Sequence, residues 1–299
     1  MHKILITDPI SDNGLKILED ENLEIIYRPS ISNDELETLL PTINGWIIRS
    51  GTNISKKHIE EAKSLSIIGR AGVGVDNIDI NAATSSGVVV MNLPDGNTIS
   101  AAEHTMSLLS ALSRNVHEGH LGLMKGEWNR HQLVGNELKD KTIGIVGLGK
   151  IGREVMKRAL SYDMNVIGHD PFVNQEMFDP DTIKIVDIDY LTTESDFITV
   201  HVPLIDATRD LFDINRLKMM KSSSRIINVA RGGIINEKDL SVALNDRINA
   251  GAAIDVFVKE PIEKDQPFLS TKNLLITPHL GASTVEAKEG VSKLSLIHI

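Results

Sequence analysis

Short apolar runs alternate with segments of helical spacing along almost all of the 299 residues. Runs of about four to eight apolar residues suit buried strands, and the segments between them are long enough to be helices. Because parallel strands can be joined only through such crossovers, the alternation predicts an α/β fold built on parallel sheets.

The first series of runs occupies the N-terminal third of the chain. Ser32 and Glu35 have the spacing of a capping box, which predicts where one of its helices begins. The predicted strands are Ile4–Thr7, Leu23–Tyr27, Trp46–Arg49, Ser66–Gly69 and Val88–Met91. The predicted helices are Ser11–Asp20, Ser32–Leu40 and Ser55–Ser64.

A second series begins at Thr142 and predicts a doubly wound parallel sheet with a helix on nearly every crossover. Between the two series, Thr98–Met124 has one apolar face and no strand pattern, which predicts a single long connecting helix. An exposed arm is expected to follow at Lys125–Gly135. The second set of predicted strands is Thr142–Gly147, Asn165–Asp170, Ile183–Val186, Asp196–Val202, Arg225–Ala230, Ala250–Phe257 and Asn273–Thr277.

The composition limits the classes of partner. A formal net charge of -10 repels phosphate backbones and anionic lipid, so we expect binding to neither nucleic acid nor a membrane. The absence of cysteine excludes disulfides and thiolate metal ligands, and we predict no metal site. No apolar stretch reaches the roughly 20 residues that span a bilayer, and the first apolar run is too short for a signal peptide. We therefore expect a cytoplasmic protein.

Gly147, Gly149 and Gly152 form a G-x-G-x-x-G motif after a predicted strand and before a helical segment. Such glycines allow a tight turn, close approach of a pyrophosphate, and close packing of helix on strand. Asp170 ends the next strand, 18 residues beyond Gly152. A carboxylate there can accept ribose hydroxyls and would repel a 2′-phosphate, so the cofactor predicted is NAD rather than NADP.

Arg231, Glu260 and His279 each follow a predicted strand of the second series. The carboxyl ends of parallel strands border the ligand crevice of an open α/β sheet. Oxidation of a 2-hydroxy acid requires a cation for the carboxylate and a base for the hydroxyl proton, which an arginine and a histidine supply. A carboxylate beside the histidine would orient its ring and raise its pKa.

Several motifs resemble those of the D-isomer-specific 2-hydroxyacid dehydrogenases, and the resemblance covers nearly the whole chain. They are Asn228–Glu237 (NVARGGIINE), Ala253–Pro261 (AIDVFVKEP) and Pro278–Thr284 (PHLGAST). Gly69–Asp79 (GRAGVGVDNID) and Asn97–His104 (NTISAAEH) are most similar to the branch of the family that acts on 3-phosphoglycerate, in the first step of serine synthesis.

The resemblance implies an NAD-binding Rossmann domain over residues 98–282, inserted into a flavodoxin-like substrate domain of residues 1–97 and 283–299. It implies that His279 is the acid/base, that Glu260 is its partner and that Arg231 holds the substrate carboxylate. It also implies contacts to the two small molecules. The implied cofactor residues are Val73, Gly147, Gly149, Lys150, Ile151, Gly152, Asp170, His201, Val202, Pro203, Val229, Ala230, Arg231, Asp255, His279, Gly281 and Ala282. The implied substrate residues are Arg49, Ser50, Arg70, Gly72, Val73, Gly74 and Asn97.

Two alternatives remain open. A relative that reduces glyoxylate, hydroxypyruvate or a lactate-type acid would share the catalytic residues and differ only where the phosphate binds. An NAD-sensing binding protein on the same fold would carry out no turnover. The resemblance implies that Arg49 and Arg70 bind the phosphate, and their presence favours the phosphorylated substrate.

Two further expectations concern the assembly and the C-terminus. The apolar helix, the arm around Trp128 and the resemblance predict a homodimer or a dimer of dimers, in which Arg130 reaches the neighbouring site. Ser283 and Glu286 have capping-box spacing, and Ala287, Val291 and Leu294 mark a helix face. The last six residues match no family pattern and resemble a translated sequencing adapter, so we expect a truncated gene assembly.

Overall fold

The computed structural model describes residues 1–10, 12–19, 21–93 and 95–290. It divides into two compact units, of which the first contains Met1–Asn97 and the chain from Ala282 onward, and the second contains Thr98–Gly281. No helix in the described ranges is both long and apolar enough to cross a bilayer.

The first unit contains a five-stranded parallel sheet in the order β2-β1-β3-β4-β5. This is the strand order of flavodoxin-like folds, and it confirms the predicted fold class. Every strand predicted for this part of the chain overlaps an observed one. The strands are β1 (His2–Ile6), β2 (Leu23–Tyr27), β3 (Gly45–Ile48), β4 (Ile67–Arg70) and β5 (Val89–Asn92).

The helices of the first unit include one that the sequence did not reveal. This is α4, a six-residue helix that begins where the Asp79 carboxylate accepts the amide of Ala82 at 2.9 Å. It is too short to show helical periodicity. The N-cap predicted for α2 is observed, since Ser32 Oγ accepts the amide of Glu35 at 3.3 Å. The helices are α1 (Asp12–Glu19), α2 (Asn33–Leu39), α3 (Lys56–Glu61) and α4 (Ile80–Ser85).

The prediction of a single long connecting helix is wrong. The segment forms two helices, α5 (Thr98–Ser113) and α6 (Val116–Met124). Asn115 separates them in the left-handed conformation, with φ 54°. A Cβ atom at Gly135 would lie 2.4 Å from the carbonyl oxygen of Ser113, so the returning chain packs directly on the end of α5. Asparagine tolerates this backbone conformation better than most residues, which explains where the break occurs.

The second unit contains a seven-stranded parallel sheet in the order β12-β11-β10-β9-β6-β7-β8. Its central part has the doubly wound order of dinucleotide-binding folds, as predicted. The strands are β6 (Thr142–Val146), β7 (Asn165–His169), β8 (Lys184–Ile185), β9 (Phe197–Val200), β10 (Arg225–Asn228), β11 (Gly251–Ile254) and β12 (Leu274–Ile276). The helices after β6 are α7 (Lys150–Ser161), α8 (Ile188–Glu194), α9 (Ile214–Met219) and α10 (Glu237–Asn245).

Both faces of this sheet are buried in apolar layers. Ile145 packs with residues of α5 and α7 on one face, and the next residue, Val146, packs with residues of α8 to α10 on the other. Successive residues of a strand point to opposite faces, so a strand buried on both sides is apolar throughout. This burial holds the strands in place on both faces, and polar loops follow at their carboxyl ends.

The chain after Gly281 begins a further helix over residues 285–290. Its cap is not the predicted Ser283 but Thr284, whose Oγ1 accepts the amide of Ala287 at 3.1 Å. The predictions for Val291, Leu294 and the last six residues lie outside the described residues.

Candidate active site

The three glycines of the G-x-G-x-x-G motif occupy three different environments. Gly147 has φ +94°, and a Cβ atom there would lie 2.6 Å from the carbonyl oxygen of His201. At Gly152 a Cβ atom would lie 2.0 Å from the carbonyl oxygen of Gly147, so α7 packs closely on β6 only without a side chain. A Cβ atom at Gly149 would meet no atom of the described residues within 4 Å, which leaves room for a ligand there.

The start of α7 lies beside this open space. Gly149 is its N-cap, no side chain among the described residues caps it, and Lys150 and Ile151 are its first two residues. The amides of a helix N-terminus attract anionic groups, and the motif presents them at the end of β6. The loop therefore fits the pyrophosphate of a dinucleotide.

Asp170 directly follows β7, and its carboxylate contacts the glycine loop. Oδ2 accepts the amide of Leu148 at 2.8 Å, and Oδ1 accepts the amide of Phe172 at 2.9 Å. Each carboxylate oxygen can accept a further hydrogen bond, so the group can still receive ribose hydroxyls. Asp170 thus has a structural role in the loop in addition to the cofactor role predicted for it.

His201 lies after β9, where the strand order reverses. Its amide donates to the carbonyl of Val146 at 2.7 Å, and Nε2 lies 2.9 Å from Thr199 Oγ1. Burial lowers the pKa of His201 to about 4, so its ring is neutral at pH 7. Val202 and Pro203 follow it along the same edge of the sheet.

His279 and Glu260 form the central polar contact of the second unit. His279 Nδ1 donates to Glu260 Oε2 at 2.6 Å, and Glu260 Oε1 accepts the amide of Phe257 at 2.9 Å. The hydrogen bond that His279 donates to Glu260 raises the pKa of His279 above its ordinary value, against the opposing effect of burial. Burial alone would raise the pKa of Glu260, but the hydrogen bonds from His279 and Phe257 outweigh it and the pKa is lowered.

Arg231 is brought close to this pair by the loop after β10. The Asn228 side chain closes the loop, accepting the amide of Ala230 at 2.9 Å and donating to the carbonyl of Arg231 at 2.8 Å. A Cβ atom at Gly232 would lie 2.0 Å from the carbonyl carbon of Phe257, so the loop packs on the segment that leads to Glu260. The positive charge of Arg231 opposes the rise in the pKa of His279 that Glu260 causes.

These three residues provide the groups that oxidation of a hydroxy acid requires. Because Glu260 occupies Nδ1, Nε2 is the ring nitrogen of His279 that can exchange a proton with a substrate. A guanidinium group binds a carboxylate through two parallel hydrogen bonds. The arrangement can therefore hold an acid and remove a proton from its hydroxyl group.

The other predicted cofactor residues of the second unit lie near these loops. Val229 follows β10, and a Cβ atom at Gly281 would lie 2.9 Å from its Cγ1 atom. Asp255 follows β11, where its buried carboxylate accepts the amides of Leu280 and Gly281 at 2.8 Å each. Ala282 belongs to the first unit.

The predicted substrate residues lie in the first unit, mostly after β3 and β4. Ile48 pairs with Arg70 in the sheet, so Arg49 and Arg70 are at the same sheet edge. The Asp8 carboxylate fixes the loop after β3 by accepting the amides of Arg49 and Thr52 at 2.7 and 3.1 Å. Ser50 is exposed in this loop.

Gly72, Val73 and Gly74 lie in the turn after β4. The amide of Gly72 donates to the carbonyl of Arg70 at 2.7 Å, and the carbonyl of Val73 accepts the Asn92 side chain at 2.6 Å. The side-chain oxygen of Asn97 is buried without a hydrogen-bond partner among the described residues. These positions are compatible with the predicted anion site.

Residues 106–281 match the family described as D-isomer specific 2-hydroxyacid dehydrogenase, NAD binding domain. This match extends over more than half of the chain. The chain belongs to this family. The second unit therefore contains the NAD-binding domain of the family, which confirms NAD as the cofactor.

Relatives with curated names extend the family match to both units. The D-3-phosphoglycerate dehydrogenase of Methanocaldococcus jannaschii is 43% identical over 98% of this chain and 56% of its own length. That of Archaeoglobus fulgidus is 42% identical over 98% of this chain and 55% of its own. The chain thus spans about half the length of the curated relatives that it matches.

A solved structure of a dehydrogenase has the same fold. The NAD-dependent formate dehydrogenase of Staphylococcus aureus, in complex with NAD, is 32% identical, with a TM-score of 0.90. The match covers 100% of this chain and 94% of that one.

Sequence reasoning missed the residues that hold the functional loops of this family member in place. Asp8 and Asn228 were not identified, although each caps a loop that carries a predicted site residue. His104 was noted only as part of a motif, and its contact with Asp255 joins residues 151 positions apart. A buried polar residue beside a strand end is a signal for such a role, but its partner is visible only in the fold.

Proposed function

We propose that the chain catalyses the NAD-dependent oxidation of 3-phospho-D-glycerate to 3-phosphohydroxypyruvate, the first step of serine synthesis. The observation that carries this proposal is the His279–Glu260 pair beside Arg231, at the carboxyl edge of the NAD-binding sheet. The names of the curated relatives support the choice of substrate.

The proposed reaction begins with the substrate carboxylate bound by Arg231. His279 Nε2 accepts the proton of the 2-hydroxyl group, while Glu260 stabilises the imidazolium that forms. The glycine loop of residues 147–152 and Asp170 would hold NAD, which would supply the hydride acceptor for C2. In the reverse direction the imidazolium returns the proton to the carbonyl oxygen, so both directions use the same residues.

The proposal assigns the substrate phosphate to Arg49 and Arg70. Both arginines lie at the same sheet edge of the first unit. A protein of net charge -10 requires such local cations to attract a substrate that carries both a carboxylate and a phosphate. Their presence favours a phosphorylated acid over the glyoxylate, hydroxypyruvate and lactate-type acids of the alternative function.

A substrate panel tests this proposal. The initial rate of NADH formation is measured with 3-phospho-D-glycerate, D-glycerate and D-lactate, for the wild type and for Arg49→Gln and Arg70→Gln. We expect the phosphorylated acid to be the best substrate, and we expect either variant to lower its kcat/KM more than that of D-glycerate. Equal losses on both acids would favour the alternative dehydrogenase, and no turnover at all would favour an NAD-sensing protein.

We further propose that the protein is a homodimer that associates through α6 and the arm of residues 125–135. Large apolar side chains are exposed along this segment, an arrangement that usually marks an interaction surface. They are Leu121, Leu123, Met124, Trp128 and Val134, of which Trp128 is 77% exposed. A cytoplasmic location stays a prediction from the sequence.

A further inference from the structure

His104 of α5 reaches the loops that carry the catalytic histidine. Its Nε2 atom lies 3.2 Å from Asp255 Oδ1 and 3.3 Å from Thr277 Oγ1. The His104 side chain is 18% exposed and the Asp255 side chain is fully buried. All three residues belong to the second unit.

Asp255 organises the loop of residues 277–281 with both its side chain and its main chain. Its carboxylate accepts the Thr277 hydroxyl at 2.5 Å and the amides of Leu280 and Gly281, while its carbonyl oxygen accepts the amide of His279 at 2.8 Å. Three consecutive amides of the loop are therefore directed at one residue. The backbone around His279 cannot shift without breaking at least one of these bonds.

This constraint matters because His279 has an unfavourable backbone conformation, with φ +55°. Non-glycine residues adopt the left-handed region at a free-energy cost and remain there only when surrounding contacts hold them. Glu260 holds the ring of His279, and the hydrogen bonds to Asp255 hold the backbone around it. The position of the imidazole therefore depends on the position and charge of the Asp255 carboxylate.

His104 stabilises the negative charge of the Asp255 carboxylate. Burial alone would raise the pKa of Asp255, but hydrogen bonds from His104, Thr277 and the Leu280 amide outweigh it, and the pKa is lowered. The ionised carboxylate can only accept hydrogen bonds, so Nε2 of His104 must carry a proton and donate it. Loss of this donor would leave a buried carboxylate with one partner fewer, which is costly in a low dielectric.

We propose that His104 is a positioning residue, which acts through Asp255 to hold the 277–281 loop and so directs His279 at the substrate. The role in catalysis rests on the proposed function. His104 does not touch the reacting atoms itself. Its effect on the geometry of His279 is independent of which hydroxy acid is bound.

The test compares His104→Leu, which loses the donor, with His104→Gln, whose side-chain amide can donate from the position of Nε2. His2→Leu is the matched control, because it is the same substitution at an exposed histidine of the first unit. Thr277→Val removes a second donor to Asp255 and serves if His104→Leu does not fold. Each variant is first checked for an unchanged circular dichroism spectrum.

The first readout is the titration of His279 in the full chain, followed by NMR with ring-labelled histidine. His279→Gln identifies the signal. In the wild type, Glu260 and Asp255 raise the pKa of His279 and Arg231 lowers it. We expect His104→Leu and Thr277→Val to lower the His279 midpoint, because a displaced loop loses the contact with Glu260. His104→Gln and His2→Leu are expected to titrate like the wild type.

The second readout is kcat with the best acid of the substrate panel. We expect His104→Leu to lower kcat by up to about 100-fold, because a small misplacement of a catalytic group can reduce the rate by that much. His104→Gln is expected to restore most of this loss. A His104→Leu protein with an unchanged His279 titration, or a His104→Gln protein as defective as His104→Leu, would overturn the proposal. If the wild type oxidises no acid, the proposed function fails while the titration still decides the role of His104.

Discussion

The reactivity of His279 depends on its hydrogen bond to Glu260. Oxidation requires the neutral imidazole, so the rate is expected to rise with pH as His279 loses its proton. Because Glu260 raises the pKa of His279, this rise occurs at a higher pH than for an isolated histidine. Glu260→Gln keeps an oxygen for the Phe257 amide, but it removes the negative charge and puts an NH2 group, which cannot accept the hydrogen bond from Nδ1, beside His279.

We predict that Glu260→Gln moves the rising limb of kcat/KM to lower pH, since the pKa of His279 falls without the carboxylate. The maximal rate should fall as well, because the imidazolium that forms is no longer stabilised. Initial rates of NADH formation across the pH range provide the measurement. If kcat/KM of Glu260→Gln rises over the same pH range as in the wild type, Glu260 does not set the pKa of His279.

Asp170 combines two roles that two substitutions can separate. Asp170→Ala removes the negative charge, the bond to the Leu148 amide and the predicted ribose contacts, whereas Asp170→Asn can keep the bond to the glycine loop. We predict a loss of about 10- to 100-fold in NADH affinity for Asp170→Ala, with a smaller loss for Asp170→Asn. Both variants should bind NADPH better relative to NADH, because the carboxylate that repels a 2′-phosphate is gone.

Fluorescence titration with NADH and NADPH measures both affinities for each variant. His58→Ala, a substitution in the other unit, is a control for nonspecific effects. If the ratio of the NADPH affinity to the NADH affinity is the same in the wild type and both variants, Asp170 does not contact the ribose.

The turn from β6 into α7 offers a matched pair of glycine substitutions. A Cβ atom at Gly149 meets no described residue within 4 Å, whereas one at Gly152 would lie 2.0 Å from the Gly147 carbonyl oxygen. We predict that Gly149→Ala keeps the thermal stability of the apoprotein and binds NADH more weakly. Gly152→Ala should lower the free energy of unfolding by about 1–3 kcal/mol, the usual cost of overpacking.

Thermal unfolding without cofactor and NADH titration distinguish the two variants. Full NADH affinity in Gly149→Ala would mean that the open space beside α7 is not where the pyrophosphate binds. Wild-type stability in Gly152→Ala would mean that α7 can move away from β6 without cost.

The sequence predicted the strands well because both sheets are buried on two faces, which requires apolar runs. It did not predict the break at Asn115, because the apolar pattern continues from α5 into α6 and only the packing of Gly135 reveals it. Likewise, the positions of His279 and Glu260 after predicted strands indicated that they are site residues, but nothing in the sequence indicated the contact of His104 with Asp255. Such contacts join distant parts of the chain and leave no periodic trace in the sequence.

In the whole molecule, the exposed apolar side chains of α6 and the arm are the basis of the proposed dimer. We predict that Trp128→Glu lowers the molar mass in solution from that of a dimer to that of a monomer, because a buried charge opposes association. Met177→Glu is the matched control, since Met177 is also exposed, at 58%, and lies outside this segment. Light scattering at micromolar concentration measures the mass, and a monomeric wild type would contradict the dimer.

The most direct test of the central claim is the rate of NADH formation from 3-phospho-D-glycerate by the wild type and by His279→Gln. The account predicts turnover by the wild type and a loss of about 10²- to 10⁴-fold in kcat for His279→Gln, the usual contribution of general acid–base catalysis. NADH, measured in the same samples, should still bind. An equal rate in His279→Gln would contradict the account, and so would a wild type that binds NADH but forms none from this acid.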